Sequence, residues 1–408
     1  MTSHESSTLR FAFGKEGLLP QEEMLEVSNK QKSLVIGIPK ENQLIETRVA
    51  LTPEAVGLLV EYGHEVIIES NAGEAANYSD KDYSERGGII IRDSKSVYQA
   101  DIILKVAPLS LDEIALLKGQ QTVFSSLLLI KQTEEIFRSL MAKKVTAIAF
   151  ENIIDKEYKC YPVVRSMSAI SGTSSILIAG ELLSTQHGGK GVLLGGITGI
   201  TPTEVIIIGA GTAAEFAARA AIGLGALVKI FDNSVQSLVQ LQNNLGMRLH
   251  TSVFHPLVLE KSLRSADVVI GARQSEDHSP KFYITEDMVR NMKRGSVIVD
   301  INISTEWCIE TSELRTLKDP VFTKHGVIHY SIPNLPSRVA RTASIALSNV
   351  FLPLLLKIAG QNEISNYLKY DAGLRHGVYI YNGILTNQFI GNHFGIPSKD
   401  IDLLMAAF

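Results

Sequence analysis

Between residues 204 and 232 the chain reads strand, glycine turn, helix, strand and acid in that order, and no other feature narrows its fold so far. The run Glu204-Val205-Ile206-Ile207-Ile208 leads directly into Gly209-Ala210-Gly211-Thr212-Ala213-Ala214, which is followed by an alanine-rich helical stretch, a second apolar strand and Asp232. Gly209 permits a tight turn, Gly211 lets backbone approach a diphosphate, and small Ala214 allows close helix–strand packing. Thr212 and Ala213 open a helix whose amino end attracts the anion. Asp232 can accept from the ribose hydroxyls of an adenosine and would repel a 2′-phosphate. Asn233 beside it adds no positive charge, so NAD is expected over NADP. Either half of the pattern alone would suit a plain βα turn with a solvated loop acid; it is the ordered set that favours a dinucleotide.

The rest of the chain alternates in the same way. Short β-branched runs at 34–38, 64–69, 89–91, 101–106, 122–127 and 145–150 form a first set, and runs at 204–208, 227–231, 249–252, 267–271, 296–300 and 326–330 a second. Helical stretches lie between them, which is the pattern of βα units feeding parallel sheets. Thr52 with Pro53 starts one helix and Gly63 stops it; Ser234, Pro256 and Thr285 with Glu286 and Asp287 mark three others. A long helix of small and apolar residues over 167–185, then a glycine-rich stretch over 188–199, joins the two sets. Apolar helices are expected at 342–359 and 377–393, and their likeliest home is the first domain.

The expected fold is therefore α/β, with two Rossmann-like doubly wound domains, a cleft between them and a discontinuous first domain. Residues 1–32 are a polar extension, 33–165 plus 343–408 the substrate domain, and 166–342 the NAD-binding domain. At 408 residues with 45% apolar side chains, two cores can form without disulfides or structural metals. A net charge of −4 without long runs of one sign gives no reason to expect nucleic acid. Cys160 and Cys308 are too few for a disulfide framework or a metal ligand set, which suits a reducing, cytoplasmic setting. The longest uncharged apolar stretches, 166–180 and 342–356, fall short of the ~20 residues of a membrane span. Residues 1–32 lack the basic start and apolar core of a secretory signal.

Two cations stand out in the first domain. Lys105 follows the strand at 101–104, near the carboxyl edge where open α/β sheets bind ligands, and can polarise a carbonyl. A snorkelling surface lysine fits the same position. Arg48 lies in a short loop before the helix capped by Thr52 and can grip a carboxylate with two parallel hydrogen bonds, or serve as a surface salt-bridge arginine.

Several segments resemble the alanine dehydrogenases: Ile36-Gly37-Ile38-Pro39-Lys40-Glu41 with Arg48-Val49-Ala50-Leu51-Thr52-Pro53, Ala100-Asp101-Ile102-Ile103-Leu104-Lys105-Val106, and Gly188-Gly189-Lys190-Gly191-Val192-Leu193-Leu194-Gly195-Gly196. The Gly209 turn, Gly295-Ser296-Val297-Ile298-Val299-Asp300 and His329-Tyr330-Ser331-Ile332-Pro333-Asn334-Leu335-Pro336 agree. The similarity extends over about 34–397 and includes the related nicotinamide nucleotide transhydrogenase α portion. It implies reversible NAD-dependent deamination of alanine to pyruvate and ammonia, and a homo-oligomer, often a hexamer. By position it implies that Arg48 binds the substrate carboxylate, that Lys105 orients or polarises the carbonyl or imine, and that Ser168 and Asn334 lie near the dinucleotide.

Two family positions differ. The histidine the resemblance implies within Phe124-Ser125-Ser126-Leu127-Leu128-Leu129-Ile130 is Leu129 here, and the aspartate after the Asp300 strand is Ser304, with Glu306 and Trp307 where paired glycines are implied. Loss of a general acid or base commonly costs 10² to 10⁴ in rate. The expected function is an NAD-dependent oxidoreductase resembling alanine dehydrogenase, with Lys105 or a water handling the proton and a pocket compatible with alanine or an altered substrate; the alternative is a catalytically impaired NAD-binding regulatory or sensory homologue. His329 is close to Asn334 in sequence, and a packed strand histidine is its expected role.

Overall fold

Runs such as Glu204–Ile208 are apolar at nearly every position, which suits a strand covered on both faces. The structure, a computed structural model, describes residues 33–129, 132–273, 283–303, 308–361 and 364–406. The extension at 1–32 and the positions Ile130, Ser304, Glu306 and Trp307 lie outside them. In chain order the first strands are β1 (Val35–Ile38), β2 (Glu65–Glu69), β3 (Ile89–Ile91), β4 (Ile102–Leu104), β5 (Thr122–Ser125) and β6 (Thr146–Ala149), paired in parallel. The second set is β7 (Glu204–Ile208), β8 (Leu227–Phe231), β9 (His250–Ser252), β10 (Val268–Gly271), β11 (Val297–Asp300), β12 (Val321–Lys324) and β13 (Val327–Tyr330). The chain then adds β14 (Val378–Tyr381) and β15 (Ile384–Leu385) to the far edge of the first sheet, where β14 pairs antiparallel with β6.

The sheet orders are β3-β2-β1-β4-β5-β6-β14-β15 and β9-β8-β7-β10-β11-β13-β12. Each sheet reverses its winding once, between β1 and β4 in the first and between β7 and β10 in the second. At such a switch point successive helices leave on opposite faces, and a crevice opens at the carboxyl ends of the strands. Lys105 follows β4, and Gly209 follows β7, so both stand at a switch point.

The expectation of a helix over 377–393 is corrected. Val378-Tyr379-Ile380-Tyr381 is β-branched and aromatic, and Asn382 and Gly383 both take positive φ, 47° and 81°, forming a two-residue hairpin turn. Within that stretch only Gly377, the last residue of the Ala372–Gly377 helix, and 388–393, in the Gln388–Phe394 helix, are helical. The strand β12 also went unforeseen: His325 and Gly326, with φ of 54° and 79°, turn it back antiparallel on β13, so the second sheet has seven strands instead of six. Both departures are hairpins at sheet edges.

The long joining helix runs over Pro162–Leu182, begun by a proline at its first position. It lies backbone to backbone on the Thr212–Gly223 helix, because a Cβ on Gly172 would come within 2.2 Å of the Ala213 carbonyl oxygen. The Ala340–Ala359 helix, with the turn that precedes it, is long and apolar enough to cross a membrane by length and composition alone. Its Leu347, Phe351, Leu355 and Ile358 are buried in the core of the first sheet.

Candidate functional site

The turn after β7 is built for close approach. Gly209 has φ 110°, and a Cβ there would come within 2.8 Å of the Ala272 carbonyl oxygen and the Arg273 backbone. Its N–H donates to the Phe231 carbonyl, which draws the turn towards the end of β8. A Cβ on Gly211 would meet nothing within 4 Å, so the side facing away from the sheet is open. Gly211 caps the Thr212–Gly223 helix without any side-chain hydrogen bond, leaving its first amides available to an anion.

These residues line a cleft of about 1030 Å³. Gly209, Ala210, Gly211, Thr212, Ala213, Asp232 and Ser168 all contribute to its wall, so the fold gathers seven of the eight residues named for the cofactor side; Asn334 is not among them. Asp232 has a second task that the sequence did not reveal. Its Oδ2 accepts from the Ala210 N–H at 2.8 Å and its Oδ1 from the Ser234 N–H at 2.8 Å, which fastens the glycine turn to β8. Each oxygen can still accept another hydrogen bond.

A cation absent from the local sequence also reaches this place. Arg273, beyond the end of β10, brings Nη1 to 4.0 Å from Asp232, with its guanidinium 4.6 Å from the centre of the Tyr283 ring and 5.7 Å from that of Phe254. Its Nε is buried without a hydrogen-bond partner among the described residues. Asn233 supplies no charge, but the tertiary structure does.

At the first switch point the cations are buried and anchored. Lys105 is 3% exposed; its Nζ lies 2.5 Å from Glu41 Oε2 and 3.4 Å from Glu113 Oε1. Glu41 follows β1 and Lys105 follows β4, so the pair spans the crevice mouth. These carboxylates hold Lys105 in its charged form against the desolvation that would lower its pKa, while burial pushes the Glu41 carboxyl up to about 7. Arg48 is 9% exposed and binds Glu46 through both Nε, at 2.8 Å, and Nη2, at 2.7 Å. That fork keeps Glu46 ionised, with its pKa lowered despite burial. Among the described residues, Nη1 of Arg48 is hydrogen-bonded to the Met167 sulfur alone, at 3.1 Å. A thioether is a weak acceptor, so this edge of the guanidinium is the least satisfied and can still donate to a carboxylate.

One helix links the two centres. Met167 touches Arg48, and the next residue, Ser168, lines the Gly209 cleft. Asn334 joins the Arg48 side, donating through Nδ2 to Glu46 Oε2 and Ser337 Oγ. Sequence reasoning missed Glu41, Glu46 and Glu151, whose signal was only that acids stood near the named cations or strand ends. His329 has its expected packed role: it is fully buried, Nδ1–H donates to the Val327 carbonyl, Nε2 accepts from Thr311, and Phe322 stacks on the ring. Burial lowers its pKa to about 4, so it stays neutral. Leu129 packs against the aliphatic core under β5 and β6.

A pair of doubly wound sheets, one with an uncapped helix end at its switch point and the other with a buried cation pair at its own, defines a two-domain α/β protein of the Rossmann-like class. Two family models match the chain, "Alanine dehydrogenase/PNT, N-terminal domain" over residues 37–171 and "Alanine dehydrogenase/PNT, C-terminal domain" over residues 175–388. Among curated proteins, "Alanine dehydrogenase 2" of Staphylococcus aureus (strain USA300) is 36% identical over 369 residues, which covers 90% of this chain and 98% of that protein. A solved structure of an L-alanine dehydrogenase superposes with a TM-score of 0.82 at 34% identity, covering 89% of this chain and 99% of the other. A transhydrogenase from Sinorhizobium meliloti, at 22% identity and a TM-score of 0.73 over 86% of this chain and 99% of its own, shares the fold. The chain belongs to the alanine dehydrogenase/PNT family and is an amino acid dehydrogenase-like oxidoreductase.

Proposed function

We propose that the chain interconverts a small amino acid and its 2-oxo acid with ammonia, using NAD, as its resemblance to the alanine dehydrogenases implies. In this reading 166–342 carry the cofactor, and 33–165 with 343–408 carry the substrate. The observation that supports it best is the adjacency on one helix of Met167, against Arg48, and Ser168, in the wall of the Gly209 cleft. In this reading, it brings a carboxylate anchor beside a dinucleotide turn.

The residues fit the cofactor. The uncapped amides of the Thr212–Gly223 helix and the open side of Gly211 suit a diphosphate, and Asp232 suits a ribose. Bound there, the nicotinamide would supply the hydride acceptor. Nη1 of Arg48 takes the substrate carboxylate, with Glu46 and Asn334 holding the guanidinium in place. Lys105 polarises the carbonyl or imine as a permanent cation, since Glu41 and Glu113 keep its proton on. We further expect a homo-oligomer in a cytoplasmic setting; exposed Leu193, Ile197, Ile200 and Leu227 around one depression offer an apolar surface for assembly.

Absorbance of NADH with alanine and a panel of other small amino acids tests the proposal, and turnover of at least one of them is expected. Silence across the panel, with cofactor still binding, would favour the regulatory alternative for which the aliphatic Leu129 speaks.

A further inference from the structure

Deamination moves protons, and the groups at the first switch point differ in their freedom to do so. Lys105 is locked as a cation by Glu41 and Glu113, and an arginine such as Arg48 does not deprotonate. Glu41 spends Oε2 on Lys105 and Oε1 on the Val106 and Ala107 N–H groups. Glu46 spends both oxygens on Arg48, with Ser337 and Asn334 adding further donors. Glu151 is different. It lies in the turn Phe150–Asn152 just past β6, and its Oε1 accepts from the Leu127 N–H at 2.7 Å and the Ser126 hydroxyl at 3.3 Å. Its Oε2 is buried and has no hydrogen-bond partner among the described residues.

The placement is at the same edge as the cations. Lys105 N–H donates to the Phe124 carbonyl of β5, Ser126 N–H donates to the Val106 carbonyl, and Ser126 in turn holds Glu151. The ends of β4, β5 and β6 thus set Lys105, Ser126 and Glu151 side by side, and the Glu151 charge is close enough to act on Arg48. An orphaned buried carboxylate oxygen costs stability unless something pairs with it, and a substrate group can.

We propose that Glu151 is the acid/base of the reaction, exchanging protons with substrate through Oε2; the assignment rests on the amino acid dehydrogenase reading above. Once hydride loss has left an iminium, water adds to its carbon and the Glu151 carboxylate takes the proton the water sheds. The resulting acid returns that proton to nitrogen as the C–N bond breaks. Nitrogen leaves as ammonia and picks up the remaining hydroxyl proton as the carbonyl forms, so iminium and water become 2-oxo acid and ammonium with Glu151 restored. Burial pushes the Glu151 carboxyl up from the usual carboxylate range, towards the pH at which it must cycle. The charged and titratable groups around it are Arg48 from the loop before the Pro53–Glu61 helix, Tyr379 from β14 and His376 from the Ala372–Gly377 helix, with Glu41, Glu46 and Lys105 grouped around or beside Arg48.

Glu151→Gln preserves an acceptor for Leu127 and Ser126 but carries no proton. It should melt with wild type, lose on the order of 10² to 10⁴ in kcat, and lose the acidic limb of the pH–rate profile. Glu151→Asp, which keeps an acid at a shorter reach, should retain that limb with a reduced kcat, so the assignment stays open to test if the glutamine variant folds poorly. A readout independent of turnover is the proton uptake on pyruvate binding to the protein without cofactor, from calorimetry in two buffers of different ionisation enthalpy. Uptake in wild type that vanishes in the glutamine variant supports the proposal; no uptake in wild type, or undiminished uptake in the variant, overturns it. His376, whose Nδ1 donates to the Asn152 carbonyl, is the competing group. Loss of the acidic limb in His376→Gln with its retention in Glu151→Gln would transfer the role and sink the assignment. Wild type silent on every amino acid defeats the functional reading itself, whereas an active wild type matched by Glu151→Gln defeats this inference alone.

Discussion

Asp232 and Arg273 show how one side chain can take opposite meanings at close range. The carboxylate accepts from Ala210 and Ser234, and it also stands 4.0 Å from the Arg273 guanidinium, which is seated against Tyr283 and Phe254. In the proposed cofactor reading, Asp232 would repel a 2′-phosphate while it neutralises the arginine. On that reading, replacing it would free the arginine beside the proposed ribose position. Asp232→Ala should therefore raise the kcat/KM ratio for NADP over NAD by about tenfold or more, equivalent to ~1.4 kcal/mol. An unchanged ratio would remove Asp232 from the cofactor reading. At this scale the sequence offered candidates and the fold chose their partners. Lys105 and Arg48 could be read as surface or as buried residues; Glu46, two positions before Arg48, pairs with it but does not say whether the pair is buried. The answer came from Glu41, which lies 64 positions before Lys105, and from Met167, which lies 119 positions after Arg48.

Helices and parallel strands were legible because their signals are local: a cap such as Thr52, a proline at the first helical position, a run of Val and Ile. The edge hairpins were not, although Asn382-Gly383 is itself a strong turn signal. Its flanking residues, Val378–Tyr381 on one side and Ile384–Leu385 on the other, are so apolar that they also satisfy a buried helix. What separates the two is pairing with β6, which depends on residues some 230 positions earlier. The joining helix carries the clearest structural requirement at the scale of an element. Gly172 lets the backbone of the Pro162–Leu182 helix rest on the first turns of the Thr212–Gly223 helix. Gly172→Val should push the two helices apart, destabilising the protein by roughly 2–3 kcal/mol in urea unfolding. It should also weaken NADH binding measured by fluorescence, because the displaced helix carries Ser168 in the cleft wall. A variant as stable as wild type would mean that the contact is dispensable.

Over the whole molecule, stability and pH are linked through buried carboxyls. Asp300, fully buried at the end of β11, accepts from Ser312 and the Asn302 N–H, yet burial outweighs both and pushes its pKa up to about 7. Its unfolded value is near 3.9, so the native state holds the proton more tightly and this contribution to stability is full below that value and lost as pH rises through 7. Between pH 5 and pH 8 wild type should lose roughly 3 kcal/mol relative to Asp300→Asn, a difference read from urea midpoints at the two pH values. Equal pH dependence in both proteins would show that Asp300 is not the group responsible. Sequence alone determined that there would be two doubly wound sheets, that a diphosphate-type turn would follow β7, and that cations would stand near the carboxyl ends of the first sheet. Each of these is encoded by residues within a turn or two of one another, where sterics and hydrophobic periodicity act directly. Only the tertiary structure decided which charges are buried, which acid pairs with which base, and that one oxygen of Glu151 is left without a partner among the described residues. Desolvation and Coulomb attraction depend on distances that the chain sets only once it has folded.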